Sequence, residues 1–194
     1  MSKKLKIVAV SGGLQRPSRT LALVQEVIDR LGHALPVEAQ VIELGEIAAD
    51  IGPVTRRADL PASAAALVRD IEEADLIIAA TPVYRASFTG LFKHLFDFVD
   101  HEALIDVPVL LVASGGSPRH ALVIEHSLRP LFSFFQSLTL PIGIFATDSE
   151  FIDYRVADKA LAQRINLAVE RAVPWLKRRI AAQAAPSQPQ ALAA

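Results

Sequence analysis

The chain has 194 residues, of which 52% are hydrophobic and 21% are charged, and its formal net charge is −1. This length suffices for one well-buried domain and is short for two, and the near-neutral charge excludes a global basic field that would recruit nucleic acid. The chain has no cysteine, which excludes disulfides and thiolate metal sites, and the sequence offers no apolar run long enough for a membrane span. We therefore expect a cytoplasmic protein with no membrane or nucleic-acid partner.

Apolar runs and amphipathic segments alternate along the chain. The run 6–10, KIVAV, is apolar and β-branched, as in a strand buried inside a parallel sheet. Segment 18–31 places leucines and valines three and four residues apart, as in a helix that Gly32 is expected to end. Further along we predict strand 37–44, loop 45–61, helix 62–74, strand 75–80, helix 90–99, strand 107–113, helix 120–137, strand 140–146 and helix 158–180.

This order of elements predicts an α/β fold. Strands that alternate with helices form right-handed βαβ units, and five of them fit a doubly wound, five-stranded parallel sheet of order 2-1-3-4-5 with helices on both faces. We expect residues 1–181 to form this single domain. Segment 182–194, AQAAPSQPQALAA, has no charge and no apolar stripe, and we expect a disordered tail there.

The first loop lies where such a sheet binds ligands, at the carboxyl ends of strands one and three, where the strand order reverses. It reads SGGLQRPSRT, residues 11–20. A helix N-terminus offers unpaired amides and partial positive charge to a phosphate, and this loop adds two arginines and three hydroxyls. It lacks the GxGxxG and GxxxxGKS/T spacings of other nucleotide sites. The residues alone fit a phosphate monoester and a capped helix with solvated arginines equally well.

Two further loops lie at the same edge of the predicted sheet. Residues 81–89, TPVYRASFT, follow strand three, and there Pro82 fixes a turn while the Tyr84 ring can lie beside a flat ligand. The amides of Tyr84, Arg85 and Ser87 are candidates for its polar edge. Residues 114–117, SGGS, follow strand four, and adjacent glycines there let a flat ring approach bare backbone, although the same residues also suit a plain turn.

The predicted helix 120–137 is apolar nearly all round. Such a helix is buried on more than one side, so we expect one face to meet the sheet and another to meet a second subunit, giving a homodimer or a homotetramer. Pro130 is expected to kink this helix. His126 lies one turn earlier and is a candidate residue of that oligomer interface.

Together the three loops resemble those of the NAD(P)H-dependent FMN reductases, a flavodoxin-like family, over roughly residues 5–175. Within that family, ASGGSPRHAL and LRPLFSFFQSLTLP are similar to the reductases of two-component alkanesulfonate monooxygenases, in particular the methanesulfonate-linked branch. One departure is Gly12-Gly13, where many relatives have Gly-Ser, so phosphate binding should depend more on Arg16, Ser18 and Thr20. In such relatives the long helix can carry an inserted residue that forms a π-bulge at a subunit interface, and His126 is our candidate for it.

The resemblance implies a role for each loop. It implies that the FMN phosphate is held by Ser11, Arg16, Ser18, Arg19 and Thr20. It implies that the isoalloxazine is lined by Pro82, Val83, Tyr84, Arg85 and Ser87, with its far edge against Gly115, Gly116 and Ser117.

The resemblance also implies the chemistry. NADH or NADPH would pass a hydride to FMN, with no catalytic side chain and no metal, because both reacting groups belong to the cofactors. FMN would act as a substrate and leave as FMNH2 for a partner monooxygenase. Two alternatives stay open: a quinone or azo reductase that keeps its FMN bound, and a flavodoxin-like electron carrier without nicotinamide activity.

Overall fold

A parallel sheet forms the centre of the computed structural model, which describes residues 4–184. Its strands are β1 (Leu5–Ser11), β2 (Val37–Glu43), β3 (Leu76–Pro82), β4 (Pro108–Gly115), β5 (Leu138–Thr139) and β6 (Ile144–Thr147). They are ordered β2-β1-β3-β4-β5, and β6 also pairs with β4. This confirms the predicted order 2-1-3-4-5, with the fifth strand in two parts.

Helices cover both faces of the sheet. Alternate residues of β1 belong to two separate cores: Val8 and Val10 to one, Ile7 and Ala9 to the other. All eight residues of β4 are buried, as expected for a strand covered on both faces. The helices are α1 (Arg19–Ala34), α2 (Leu44–Ile51), α3 (Ala62–Glu72), α4 (Gly90–Phe96), α5 (Arg129–Phe134) and α6 (Lys159–Ala184).

Two predicted boundaries in the first half of the chain are wrong. Helix α1 continues through Gly32 to Ala34, because the Leu35 amide still donates to the Leu31 carbonyl at 2.9 Å. The predicted loop 45–61 begins with helix α2, whose Leu44 and Ile51 are fully buried. The helical spacing of its apolar residues outweighs the low helix propensity of Gly45.

The predicted helix 120–137 is divided in the structure. It consists of a 3-10 turn (Pro118–His120), a π-helical segment (Ile124–Leu128) and α5. Pro130 is the second residue of α5, which continues directly from the π segment, because Leu128 and Arg129 both have helical backbone angles. The π-bulge expected from the resemblance is therefore present, and His126 lies at its centre.

A proline and a close contact with the π segment interrupt the fifth strand. Pro141 has no amide for the ladder, and a Cβ on Gly143 would lie 2.6 Å from Ile124 Cγ2 of the π segment. The Leu140 amide still donates to the Val109 carbonyl of β4 at 2.9 Å, and the chain then leaves the sheet at 141–143 and returns as β6. A hairpin that the sequence did not suggest follows, formed by β7 (Phe151–Ile152) and β8 (Arg155–Val156).

The end of the predicted domain lies inside helix α6. The helix continues through Ala184, so the first residues of the predicted tail 182–194 are helical. Residues 185–194 lie outside the described residues. In the range 4–184, no helix combines the length and apolar character needed to span a bilayer, and no three His, Asp or Glu side chains cluster as metal ligands. The cytoplasmic location stays a prediction.

Candidate functional site

A cavity of about 250 Å³ lies at the carboxyl ends of β1, β3, β4 and β6. It brings together more than half of the site residues predicted from sequence. These are Ser18, Arg19, Thr20, Pro82, Val83, Tyr84, Gly115 and Gly116. It also includes residues that sequence reasoning did not select: Gly13, Leu14, Gln15, Pro17, Ser114 and Asp148.

Ser18 is the N-cap of α1, and the N-terminus of this helix lines the cavity. Its backbone is extended (φ −128°, ψ 121°) and its Oγ accepts a hydrogen bond from the Leu21 amide at 3.2 Å. The amides of Arg19 and Thr20 belong to the first turn and have no acceptor within the helix. A Cβ on Gly13 would lie 2.9 Å from Ser18 Oγ, so a side chain there would have to displace the capping hydroxyl.

Two buried hydroxyls lie on the wall of the cavity. Thr20 Oγ1 and Ser114 Oγ are 2.7 Å apart, and the two residues are 2% and 4% exposed. Either oxygen can be the donor. When Ser114 donates, the Thr20 proton is available for an anionic ligand, so the pair supplies a donor that adapts to what binds.

The loop after β3 forms a tight turn at the cavity mouth. The Tyr84 and Ser87 amides each donate to the other's carbonyl, at 2.8 and 3.1 Å, and Arg85 and Ala86 between them have positive φ of 48° and 68°. The Tyr84 and Ser87 amides, expected to bind a ligand edge, are therefore used within the turn. Arg85 and Ser87 do not line the cavity.

The loop after β4 presents bare backbone. A Cβ on Gly115 would lie 3.4 Å from Val83 and from the Phe145 ring, which is ordinary contact. A Cβ on Gly116 would meet only Asp148 Oδ2, at 3.7 Å, so this position faces the cavity itself. Ser117, also predicted to line the site, points away and accepts a hydrogen bond from the Arg119 amide at 3.3 Å.

Arg16 and Ser11 line an adjoining cavity of about 150 Å³ rather than this one. Arg16 Nε donates to Glu43 Oε2 at 2.8 Å, and Arg16 Nη2 pairs with both Glu43 and Glu46. Hydrogen bonding to Glu43 raises the pKa of Arg16 above its ordinary value. The strongest phosphate ligand expected from the sequence is thus already paired with carboxylates, which the sequence could not reveal because they lie at the end of β2 and in the first turn of α2.

Arg19 and Asp148 face each other across the cavity mouth. Arg19 Nε lies 3.8 Å from Asp148 Oδ1, and its guanidinium lies over the Tyr154 ring at 5.1 Å. Asp148 begins the 3-10 turn after β6, and Tyr154 belongs to the β7–β8 hairpin. The sequence feature that could have identified Asp148 as a site residue is its position directly after the fifth strand.

This arrangement fits a phosphorylated planar ligand. The α1 amides, the Ser18 and Thr20 hydroxyls and Arg19 line this cavity, and their hydrogen bonds and the helix dipole favour a phosphate. The same cavity is lined by bare backbone at Gly115 and Gly116, by the apolar Val83 and by Tyr84, which suits a flat aromatic ring.

A second cavity, larger than this one, lies elsewhere in the described part of the chain. It measures about 610 Å³, lies beside α4 and α5, and is lined by Phe96, Leu131, Phe134 and charged residues including Lys93 and Asp97. Phe134 is 68% exposed. Because this cavity is remote from the carboxyl ends of the strands, it carries no part of the ligand site.

His126 is also remote from the carboxyl ends of the strands. Its side chain is exposed on the π segment.

Comparison with known proteins agrees with the geometry. Residues 5–151 match the model of the NADPH-dependent FMN reductase family. The chain is 57% identical to the NADH-dependent FMN reductase SfnF of Pseudomonas fluorescens over 90% of this chain and 93% of that protein. It is 55% identical to an FMN reductase (NADPH) of Pseudomonas aeruginosa over 90% and 94% of the two chains.

Solved structures share the fold. The apo form of the NADH:FMN oxidoreductase EmoB superposes with a TM-score of 0.78 at 27% identity, covering 96% of this chain and 92% of that one. An archaeal flavodoxin has a TM-score of 0.58 at 12% identity, covering 88% and 99%, which shows the flavodoxin-like fold alone. With the family match, the close relatives and the cavity in agreement, the chain belongs to the NADPH-dependent FMN reductase family.

Proposed function

We propose that this protein reduces FMN with NADH or NADPH. The observation that carries the proposal is the cavity where β1, β3 and β4 end, which combines a helix N-terminus suited to phosphate with bare backbone suited to a flat ring. Relatives above 50% identity are named FMN reductases, some as NADH-dependent and one with NADPH. Among the cavity residues, Arg19 is the candidate cation for the phosphate.

The chain's own residues bind and orient. Ser18, Thr20 and the first amides of α1 would hold the FMN phosphate, and Gly115, Gly116 and Val83 would form the wall for the ring. When bound, FMN supplies the acceptor for a hydride from the nicotinamide. The protein's contribution is then proximity and alignment, so hydride transfer requires no nucleophile or general base from the protein.

We further propose that FMN is a substrate, released as FMNH2 to a partner FMN-dependent monooxygenase of a sulfonate-utilisation system. Tyr84 at the cavity mouth is 46% exposed, so the ring end of the site is open to solvent and to a nicotinamide or a partner. The similarity of ASGGSPRHAL and LRPLFSFFQSLTLP to the reductases of two-component alkanesulfonate monooxygenases supports the pairing with such a system. The alternative acceptor considered from the sequence is a quinone, and the rapid-mixing test below distinguishes it from FMN.

We also propose that the protein is a homodimer or homotetramer. Leu122 and Phe134 are 59% and 68% exposed, on either side of the π segment with His126. Phe134 stands beside the 610 Å³ cavity, which is largely apolar at Phe96 and Leu131. A protruding aromatic side chain next to an apolar cavity can be matched by the same pair on a second copy related by a two-fold axis.

Rapid mixing tests the activity. The purified protein is mixed with FMN and then with NADH or NADPH, and the loss of flavin absorbance is followed. We expect rapid bleaching with at least one nicotinamide, FMN turnover that exceeds quinone turnover, and dissociation of flavin between turnovers. Failure of both nicotinamides to bleach the flavin contradicts the proposal and favours an electron carrier. Retention of flavin with faster quinone reduction favours a quinone reductase.

A further inference from the structure

Both arginines of the first loop already have carboxylate partners. Arg16 donates from Nε to Glu43 at 2.8 Å, and a terminal nitrogen lies 3.0 Å from Glu46 Oε1. Arg19 Nε lies 3.8 Å from Asp148 Oδ1. Two arginines that face three carboxylates leave one net negative charge around the loop before any ligand arrives.

Asp148 lies inside the cavity rather than behind it. Its carboxylate lines the cavity together with Arg19 and Gly116, and Oδ2 lies 3.7 Å from the point that a Cβ on Gly116 would occupy. The side chain is 51% exposed, so it can give up Arg19 without being left buried and unpaired. The Tyr154 ring holds the Arg19 guanidinium from its other side, at 5.1 Å.

We propose that Asp148 and Glu46 act as counter-charges that weaken FMN binding and thereby favour its release. A phosphate dianion must displace Asp148 from Arg19, and it is repelled by that carboxylate and, from the adjoining cavity, by Glu46, so the arginines contribute little net attraction. The helix N-terminus and the hydroxyls of Ser18 and Thr20 then supply most of the phosphate binding. This inference rests on the proposed function, because it explains how the same site can bind FMN as a substrate that leaves.

Two amide variants test the proposal, with FMN dissociation constants measured by flavin fluorescence titration at low salt. Asp148→Asn and Glu46→Gln each remove one negative charge with little change in shape, and both side chains are more than half exposed. Glu38→Gln is the matched control: it removes the same charge at the amino end of β2, at the opposite end of the sheet. Riboflavin, which has no phosphate, is titrated in parallel.

We expect each site variant to bind FMN about two- to fivefold more tightly, the range that exposed ion pairs span, and the double variant to combine both gains. Riboflavin affinity and the Glu38→Gln control should not change. About 1 M salt shortens the Debye length to about 3 Å and should remove most of the gain. FMN dissociation, followed by rapid displacement, should slow in proportion.

Three results would overturn the proposal. Unchanged FMN affinity in both folded variants would mean that the carboxylates do not act on the phosphate. Weaker binding would mean that they contact the ligand favourably. Equal tightening of riboflavin would place the effect away from the phosphate. If the wild-type protein binds no FMN, the proposed function itself fails, which is a separate and recognisable outcome.

Discussion

Gly116 offers a substitution whose effects on folding and on ligand binding should separate. The structure gives no glycine a positive φ in the described range, and a Cβ at position 116 would make one ordinary contact, 3.7 Å from Asp148 Oδ2. Gly116→Ala should therefore fold normally and gain about 0.4–1 kcal/mol, because alanine restricts the unfolded chain. The added methyl group would, however, occupy space in the cavity that we assign to the flavin ring.

The expected loss of affinity follows from close packing. Forcing a methyl group into a well-packed contact costs about 1–3 kcal/mol, which corresponds to about 5- to 150-fold weaker binding. The loss should be the same for FMN and riboflavin, since the ring and not the phosphate is affected. Fluorescence titration measures affinity, and urea denaturation measures stability.

Gly32→Ala is the matched control for this prediction. Its Cβ would lie 3.6 Å from Val37 near the end of α1, far along the helix from the cavity, so it should gain stability without changing flavin affinity. Wild-type flavin affinity in a folded Gly116→Ala protein would refute the placement of the ring against this loop.

Three other substitutions follow from local contacts. Gly12→Ala should lose about 1–3 kcal/mol of stability in urea denaturation, because its Cβ would lie 2.9 Å from Thr81 Oγ1 and 3.1 Å from the Ala80 carbonyl; wild-type stability would contradict this. Hydrogen bonds from Arg129 lower the pKa of Glu125 below its ordinary 4.5. Glu125→Gln should therefore lose about 0.2–1 kcal/mol at neutral pH, and its deficit should close as the pH falls below about 4.5 and the wild-type carboxylate protonates; a deficit that grows in acid would be inconsistent with this pairing. Phe134→Ser should reduce the mass measured by light scattering towards that of a monomer, and an unchanged oligomer would exclude this face as the interface.

Strands β1, β3 and β4 could be predicted because each is largely an apolar run, and burial on both faces imposes that pattern directly. Helix α2 was missed because Gly45 is a poor helix former and Pro53 and Pro61 follow it, so the segment looks like a loop although Leu44 and Ile51 keep a helical spacing. In the fifth strand Pro141 is visible in the sequence, whereas the close approach of Gly143 to Ile124 is a tertiary contact with no local signature.

The candidate site likewise contains residues that could be predicted from the sequence and contacts that could not. Ser18, Thr20 and Gly116 could be selected because they lie in segments that follow strands whose order fixes where those segments meet. Asp148, directly after the fifth strand, carried the same signal, but nothing in the sequence indicated that Glu43, Glu46 and Asp148 would pair with the arginines of the first loop. Sequence patterns thus identify donors for a ligand more readily than the charges that offset them.

A crystal structure of the protein with FMN tests the central claim most directly. We predict the phosphate within hydrogen-bonding distance of the Ser18 and Thr20 hydroxyls and of the first amides of α1, with the ring against Gly115 and Gly116. Flavin bound in the cavity beside Phe134, or the absence of flavin from the strand ends at saturating concentration, would contradict the account.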